Sequence, residues 1–375
     1  MTRGQKNKKY DMVFVGTGII CVLEAVYQSL SGKSVLMIDQ KSKIGGAWAS
    51  LSIFGVHNVE NAVHYFLPDS NAFEFLRNIL NLEIIPSTTK YRVFPLFLGF
   101  HLKLCYDNKF GRFLARIKEG SGVPKKTFFK NLPSIIQDAF IKTRQPSVYV
   151  KGGSPEMLQK INALLCSSCV KVKLSTKIRL IIINNKTKTV KILAGAEKFL
   201  SKKIIFTNSS QIPRLTSPCN ELHIQQKKHL RPSLHLLIQD KSLPVMHECV
   251  MSADSLIKYV HDITRYAQEA DRLLGKKEIL VVALQHHVQK RNKVISLVLK
   301  KLKQVGMIGK SATLENQYWQ NIYLPGLNDS DLEKIKTEFG SQVDFLRTEN
   351  LTKGIGYYAK KWSKKISFKN IKKVP

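Results

Sequence analysis

The chain has 375 residues and carries 60 Lys and Arg against 27 Asp and Glu, which gives a formal net charge of +33. Its 43% of hydrophobic residues suffices for a large core, so a broadly disordered protein is excluded. No uninterrupted apolar run reaches the roughly 18 residues of a membrane-spanning helix. The length fits one large bipartite unit or two domains.

The first fifty residues predict a strand, a glycine turn, a helix, a second strand that ends on an acid, and a double glycine. The apolar run Met12–Val15 leads into Gly16-Thr17-Gly18, and the second apolar run ends on Asp39, ahead of Gly45-Gly46. This order is typical of a dinucleotide site at the edge of a parallel sheet. It predicts an α/β fold, and the alternative is a doubly wound domain that keeps the turn for packing alone.

Each residue type in this pattern has a chemical reason. Gly16 permits a sharp turn, and Gly18 lets the backbone approach a pyrophosphate at the helix N-terminus. Asp39 lies 23 residues after Gly16, where a carboxylate accepts hydrogen bonds from an adenosine ribose and disfavours the 2′-phosphate of NADP. Gly45-Gly46 permits a second close approach of backbone to cofactor. Cys21 stands at the third glycine position, which serves helix–strand packing and tolerates a small side chain.

The combination resembles the flavin-dependent amine oxidase superfamily, which includes protoporphyrinogen oxidase, phytoene desaturase and UDP-galactopyranose mutase. In that group the strand-end acid is usually glutamate, where this chain has Asp39. Asn58–Phe66 is similar to the segment that runs beneath the flavin, and Val150–Met157 is similar to the mid-chain Gly-Gly that opens a helix. The group's closing segment corresponds to Val343–Gly356, which has an acid and two glycines in a different order.

The resemblance implies FAD as the cofactor and a Rossmann-like parallel sheet with a β-meander, followed by a second α+β substrate domain. It also implies that His64 lies near the flavin and that the backbone at Ile178 lies by the adenine. The implied cofactor-binding residues are Gly16, Thr17, Gly18, Ile19, Asp39, Gln40, Gly45, Gly46, Ala47, Trp48, His64 and Ile178.

The pattern of elements predicts a discontinuous domain organisation. Alternating apolar residues around Asn184–Thr187 indicate a hairpin, and apolar runs after residue 213 indicate a mainly antiparallel sheet. The predicted segments are 10–70, 151–212 and 331–360 for the dinucleotide-binding domain, 71–150 for a helical insertion, 213–330 for the substrate domain, and 1–9 and 361–375 for basic termini.

Outside the cofactor motif, the sequence assigns no catalytic residue. Tyr259 and His261 share one face of a predicted strand, and together with Arg265 they are candidates for a substrate site; the alternative is one solvated face of a sheet. Cys166 and Cys169 are interpreted as an incidental pair, because no second pair or histidine accompanies them. We therefore predict that the chain has no metal site. We also predict that its cysteines are free thiols in a cytoplasmic protein.

Three functions are compatible with the sequence. The first is an FAD-dependent oxidoreductase acting on a small-molecule substrate, since flavin chemistry needs few protein groups. The second is a flavin-dependent nucleotide-sugar mutase, in which Arg231 and Arg265 would hold a diphosphate. The third is a degenerate, non-catalytic binding protein of the same fold.

The basic ends allow a further partner. Arg3, Lys6, Lys8 and Lys9 are interpreted as a basic leader of an intracellular protein, since the apolar stretch after them contains the dinucleotide motif. The C-terminal lysines, with Trp362 and Phe368 among them, predict either a solvated tail or peripheral contact with an anionic membrane surface. Nucleic acid is not favoured, because the charge elsewhere is spread out rather than gathered in a patch.

Overall fold

The computed structural model describes residues 8–61, 64–66, 69–86, 90–95, 101–105, 108–120, 131–134, 136–137, 148–207, 214–217, 221–222, 227–239, 248–251, 254, 256–264, 275, 277–285, 291–326, 329–346 and 351–365. The statements below concern these residues.

Twenty strands lie within the described residues. In chain order they are β1 (Lys8–Val15), β2 (Val35–Ile38), β3 (Leu51–Ile53), β4 (Val56–Val59), β5 (Ile84–Pro86), β6 (Lys90–Pro95), β7 (His101–Cys105), β8 (Val148–Val150), β9 (Lys171–Lys173), β10 (Ile178–Asn184), β11 (Thr189–Ala194), β12 (Glu197–Thr207), β13 (Arg214–Thr216), β14 (Glu221–Leu222), β15 (Lys227–Gln239), β16 (Glu248–Met251), β17 (Ile257–Asp262), β18 (Lys277–Leu284), β19 (Thr313–Gly326) and β20 (Val343–Leu346).

The helices pack on these strands. Those described are α1 (Ile19–Leu30), α2 (Ser70–Glu74, continued by a π turn over Phe75–Ile79), α3 (Lys109–Gly120), α4 (Gly153–Cys166), α5 (Arg291–Gln304), α6 (Asp329–Phe339) and α7 (Leu351–Lys365), with short 3-10 turns at Gly46–Trp48 and Gly340–Gln342. No helix of the described residues is long and apolar enough to cross a membrane.

The first sheet has a parallel centre and an antiparallel extension. Its strand order is β14-β13-β10-β11-β12-β1-β2-β9, and β20 pairs with the second half of β12. The pairs β12–β1, β1–β2 and β2–β9 are parallel, whereas β10, β11 and β12 form an antiparallel meander. The predicted Rossmann-like parallel sheet with a β-meander is therefore confirmed.

Both faces of this sheet are covered, which is why β1 is apolar at consecutive positions. Phe14 packs with the helices α1, α2, α4 and α7 on one face. Val13 and Val15 face the other way and pack with Phe206 of β12 and with Phe339 of α6. The carboxyl ends of β1 and β2 thereby lie at one edge of a rigid core.

The second sheet has the order β19-β15-β18-β17-β16-β6-β7. Its neighbours are antiparallel except β16 and β6, which run parallel. One face packs on α5, where Val298 and Leu302 meet Leu234 and Val282. The opposite face meets the β3–β4 hairpin through Val281 and Val59.

Two sequence-based expectations differ from the structure. The region 71–150 is predicted as mostly helical with a strand or extended chain from Tyr91, and that stretch is strand β6. The region also contributes β5, β7 and β8, and β6 and β7 extend the second sheet, where Val93 and Phe94 are buried. At the other end, α7 continues beyond residue 360, the predicted end of the dinucleotide-binding domain, and Trp362 is fully buried. Trp362, which the sequence predicts to lie in the basic terminus, is therefore a core residue. Phe368 lies outside the described residues.

Candidate functional site

The turn after β1 presents bare backbone at the N-terminus of α1. Gly16 has φ 102°, a conformation that favours glycine. Gly18 is the N-cap residue of α1 at φ −61° and ψ 153°, and no side chain caps the helix. A Cβ atom built on Gly18 would meet nothing within 4 Å. No described side chain caps the first turn of α1, and the space beside Gly18 is open, which suits the phosphates of a dinucleotide.

Asp39 holds this turn in place. Its Oδ2 accepts hydrogen bonds from the Thr17 backbone N–H at 2.9 Å and from the Thr17 hydroxyl at 2.7 Å. Its Oδ1 accepts from the backbone N–H of Lys41 at 2.9 Å. The carboxylate predicted to face a ribose thus also joins the end of β2 to the glycine turn.

The double glycine lies against the same turn. Gly45 donates its N–H to the Thr17 carbonyl at 2.9 Å. A Cβ atom on Gly46 would come within 3.2 Å of the Gly18 Cα, and one on Gly45 would strike Leu158 of α4 at 2.6 Å. With φ values of 111° and 60°, both positions require glycine for close packing within the chain itself.

Gly16, Gly18, Gly45 and Gly46 together form a glycine cradle at the N-terminus of α1. The other predicted cofactor residues lie around this cradle. Ile19 is buried in the core, so only its backbone is available to a ligand, whereas Gln40 and Ala47 are exposed. Trp48 is buried, and its ring lies 4.1 Å from the half-buried ring of His64. Ile178 opens β10, two residues after Thr176, whose N–H donates to the Asp39 carbonyl at 2.9 Å.

Of the three substrate candidates, two lie together. The ring centroids of Tyr259 and His261 are 4.8 Å apart, and His261 is only 7% exposed, so this is not a solvated face. The hydroxyl of Tyr65 lies 2.9 Å from Nδ1 of His261. Arg265 lies outside the described residues, as does the side chain of Arg231.

Sequence reasoning missed a buried acid near the cradle, Glu60, which is 1% exposed. Its carboxylate accepts hydrogen bonds from the Tyr149 hydroxyl and from the backbone N–H of Ser154 in the first turn of α4. Burial raises its pKa to about 7 despite these two bonds. His235, buried beside it, contacts the Glu60 carbonyl through Nε2 at 3.3 Å, and burial lowers the pKa of this histidine to about 4. The segment His57-Asn58-Val59-Glu60-Asn61 is mostly polar, so the sequence carries no signal for a buried acid at this position.

Glu60 should make stability depend on pH. Because its folded-state pKa is raised from 4.5 to about 7, the stability it contributes is present below pH 4.5 and lost as the pH rises through 7. The shift corresponds to about 3 kcal/mol. We expect Glu60→Gln to flatten the decline in the free energy of urea unfolding between pH 5 and 8, by comparison with the wild type. Glu83→Gln, at an exposed acid, is the control, and equal slopes for wild type and Glu60→Gln would contradict the assignment.

The two cysteines interpreted as an incidental pair lie away from the glycine turn. Cys166 and Cys169 are free and exposed at the end of α4. Across the described parts of the chain, no group of three or more His, Cys, Asp or Glu residues is arranged to hold a metal ion.

Comparisons with known proteins agree with this architecture. Residues 15–79 match the family model of the NAD(P)-binding Rossmann-like domain. No curated protein sequence matches the chain. An oxidoreductase from Methanosarcina mazei has a similar structure at 12% identity, with 95% of this chain and 100% of that chain covered and a TM-score of 0.63.

Two further solved structures have the same fold. Putrescine oxidase bound to putrescine is 13% identical, with 94% and 96% of the two chains covered and a TM-score of 0.66. A RAB GDI from Plasmodium falciparum is 14% identical, with 92% and 95% covered and a TM-score of 0.55. The predicted fold class, and the resemblance to the amine oxidase-like flavoproteins at the level of fold, are confirmed. Since the fold also occurs in a RAB GDI, it does not by itself decide the function.

Proposed function

We propose that this protein is an FAD-dependent oxidoreductase that acts on a small-molecule substrate bound between the glycine cradle and the second sheet. The observation that carries the proposal is the open, uncapped N-terminus of α1 at Gly18, with Asp39 at the end of the neighbouring strand. The similar structures include an oxidoreductase and a putrescine oxidase, which supports redox chemistry on this fold.

The residues of the cradle fit a dinucleotide. The first-turn N–H groups of α1 would bind the pyrophosphate, and the helix dipole adds to the attraction. Asp39 would accept from the ribose through the one of its roughly four lone-pair sites that its three internal hydrogen bonds leave. His64 and Trp48 would border the flavin. Bound FAD would supply two-electron oxidation, and the protein would position the substrate and handle its proton.

The direct test is cofactor uptake by the purified chain. We expect a yellow protein with flavin absorbance, or a colourless one that takes up added FAD in preference to NADP. A protein that shows no flavin absorbance and binds no added FAD would overturn the proposal. Anaerobic bleaching of the flavin by small molecules would then search for the substrate.

Asp39→Ala should weaken FAD binding. The variant removes a charge-assisted hydrogen bond worth roughly 1.5–3 kcal/mol, which corresponds to about one to two decades in Kd. It should also lower the stability of the turn, because Thr17 and Lys41 lose their acceptor. The measurement is quenching of flavin fluorescence alongside thermal unfolding without FAD.

Asp11→Ala is the matched control for that variant. Asp11 accepts from the Ser34 backbone N–H and hydroxyl at 2.9 and 2.8 Å, towards the other end of β1. This variant should reduce stability without changing the affinity for FAD. Equal affinities in the wild type and Asp39→Ala would show that Asp39 serves the turn alone.

A further inference from the structure

The two faces of the second sheet differ in polarity. The face that packs on α5 is apolar, with Leu234, Val260 and Val282 in its cluster. On the opposite face, strand pairing aligns one residue from each of four neighbouring strands in a row. In strand order these are His235 of β15, Val281 of β18, His261 of β17 and Glu248 of β16. Directly opposed residues share a face. Two histidines and an acid therefore lie in one row on the side that meets the β3–β4 hairpin.

This row is buried. His235, His261 and Glu248 are 0%, 7% and 3% exposed. Placing titratable groups in such a position is costly unless they pair with other polar groups. Glu248 Oε1 lies 3.7 Å from Nδ1 of His261, close enough for strong electrostatic coupling in a buried site. The arrangement is thus an imidazole–carboxylate pair inside the protein.

A third group reaches this pair from the side of the cofactor cradle. Consecutive residues of extended chain point in opposite directions. His64 packs on Trp48 of the cradle, whereas Tyr65 extends to the second sheet and brings its hydroxyl within 2.9 Å of His261 Nδ1. Tyr65 is half-buried whereas His261 and Glu248 are buried, so Tyr65 is the member of the triad that a substrate can reach. The adjacent pair His64-Tyr65 therefore connects the cradle with the buried row.

We propose that Tyr65, His261 and Glu248 form a proton relay that accepts the proton released from the O–H or N–H group of an alcohol or amine substrate. This proposal rests on the proposed function, because the reaction that the relay would serve is the oxidation proposed there. Tyr65 is the residue that touches the substrate, while His261 and Glu248 act through it.

The transfer balances in protons and charge. The X–H bond of the substrate breaks and its proton goes to Tyr65 Oη, while the phenolic proton passes to Nδ1 of His261. The phenol is regenerated, the substrate heteroatom loses one proton, and the imidazole becomes an imidazolium. The negative charge of Glu248 compensates that imidazolium, which is the pairing that favours the charged form.

Other titratable groups face the relay and belong to its environment. Tyr259 lies next to His261 on β17. The Tyr149 ring packs edge-on against Tyr65 and bonds to Glu60, and His235 lies two strands away in the same row. Glu248 and Tyr65 contact His261 directly, so they are the groups to alter first.

The first experiment follows the protonation of His261 in the full chain without added FAD. The imidazole signals of the ten histidines are recorded by NMR against pH, and His261→Gln identifies the signal of interest. Glu248→Gln should lower the midpoint of His261 by about 1 pH unit or more, since an opposite charge at this distance shifts a pKa by roughly 1–3 units. A midpoint that stays within about 0.3 units of the wild type, against that expected range, would overturn the relay.

The second experiment tests Tyr65 in the FAD-loaded protein. Anaerobic flavin bleaching is measured with a panel of primary and secondary alcohols and primary amines. Tyr65→Phe keeps the ring packing and should slow bleaching by about 10²- to 10⁴-fold, the usual contribution of a general acid–base group. Tyr318→Phe is the control, because Tyr318 lies on the edge strand β19, three strands from His261, where it packs edge-on against His235. This variant should keep the wild-type rate.

The outcomes separate the two proposals. An unchanged rate in Tyr65→Phe, or bleaching by no member of the panel, would overturn the relay or its substrate class while FAD binding stood. Failure to bind FAD would overturn the proposed function alone, because the NMR titration tests the sharing of the proton without the cofactor.

Discussion

Gly18→Val is expected to abolish FAD binding while the protein without cofactor stays folded. The backbone of Gly18 has φ −61° and ψ 153°, which valine adopts readily, and a Cβ atom there would meet nothing within 4 Å. The branched side chain would instead fill the space that the pyrophosphate needs, next to the N–H groups of α1. We expect at least a hundredfold loss of affinity, about 3 kcal/mol or more.

The experiment compares FAD titrations by fluorescence quenching with thermal unfolding in the absence of FAD. Gly18→Val should keep the unfolding temperature of the wild type and lose the titration. Leu30→Val, at the exposed end of the same helix, controls for a branched residue in α1 and should bind FAD as the wild type does. Unchanged binding in Gly18→Val would mean that the dinucleotide does not approach α1.

Trp362→Ala is expected to cost about 3–5 kcal/mol of the free energy of unfolding, as for other large buried aromatic residues. Trp362 is fully buried and packs edge-on against Phe75, with ring centroids 5.3 Å apart. Beside it, Lys361 bonds to the buried carboxylate of Glu24 at 3.0 Å and lies 4.2 Å from the centre of the Tyr27 ring. The helix α7 is therefore docked on α1 and α2 through both its apolar and its basic residues.

Urea unfolding measures this effect. Trp362→Phe is the control, because it keeps an aromatic ring against Phe75, leaves a smaller cavity than alanine does, and removes an indole N–H for which the described residues provide no partner. We expect it to cost less than Trp362→Ala. If residues around Trp362 formed a solvated tail, Trp362→Ala would leave the free energy of unfolding nearly unchanged. That result would contradict the docking of α7.

The sequence by itself determined the dinucleotide-binding half of the protein. The turn at Gly16, the helix start at Gly18 and the acid at Asp39 belong to one βαβ unit of short range, whose geometry follows from local φ preferences and apolar periodicity. The meander and the mainly antiparallel character of the second sheet were likewise predicted, because their apolar alternation is strong, whereas its longest strand, β19, was not predicted. Alternation also predicted that Tyr259 and His261 would be neighbours.

Only the tertiary structure decided which polar groups meet. Glu60 and Tyr149 are 89 residues apart, Tyr65 and His261 are 196 apart, and Glu24 and Lys361 are 337 apart. No local pattern encodes such a pair, since each partner follows the rules of its own strand or helix and the contact exists only after those elements pack together. The same reason applies to Trp362. Its position within a run of lysines predicts a tail residue, but it lies in the core because it packs against Phe75, in the π turn that continues α2.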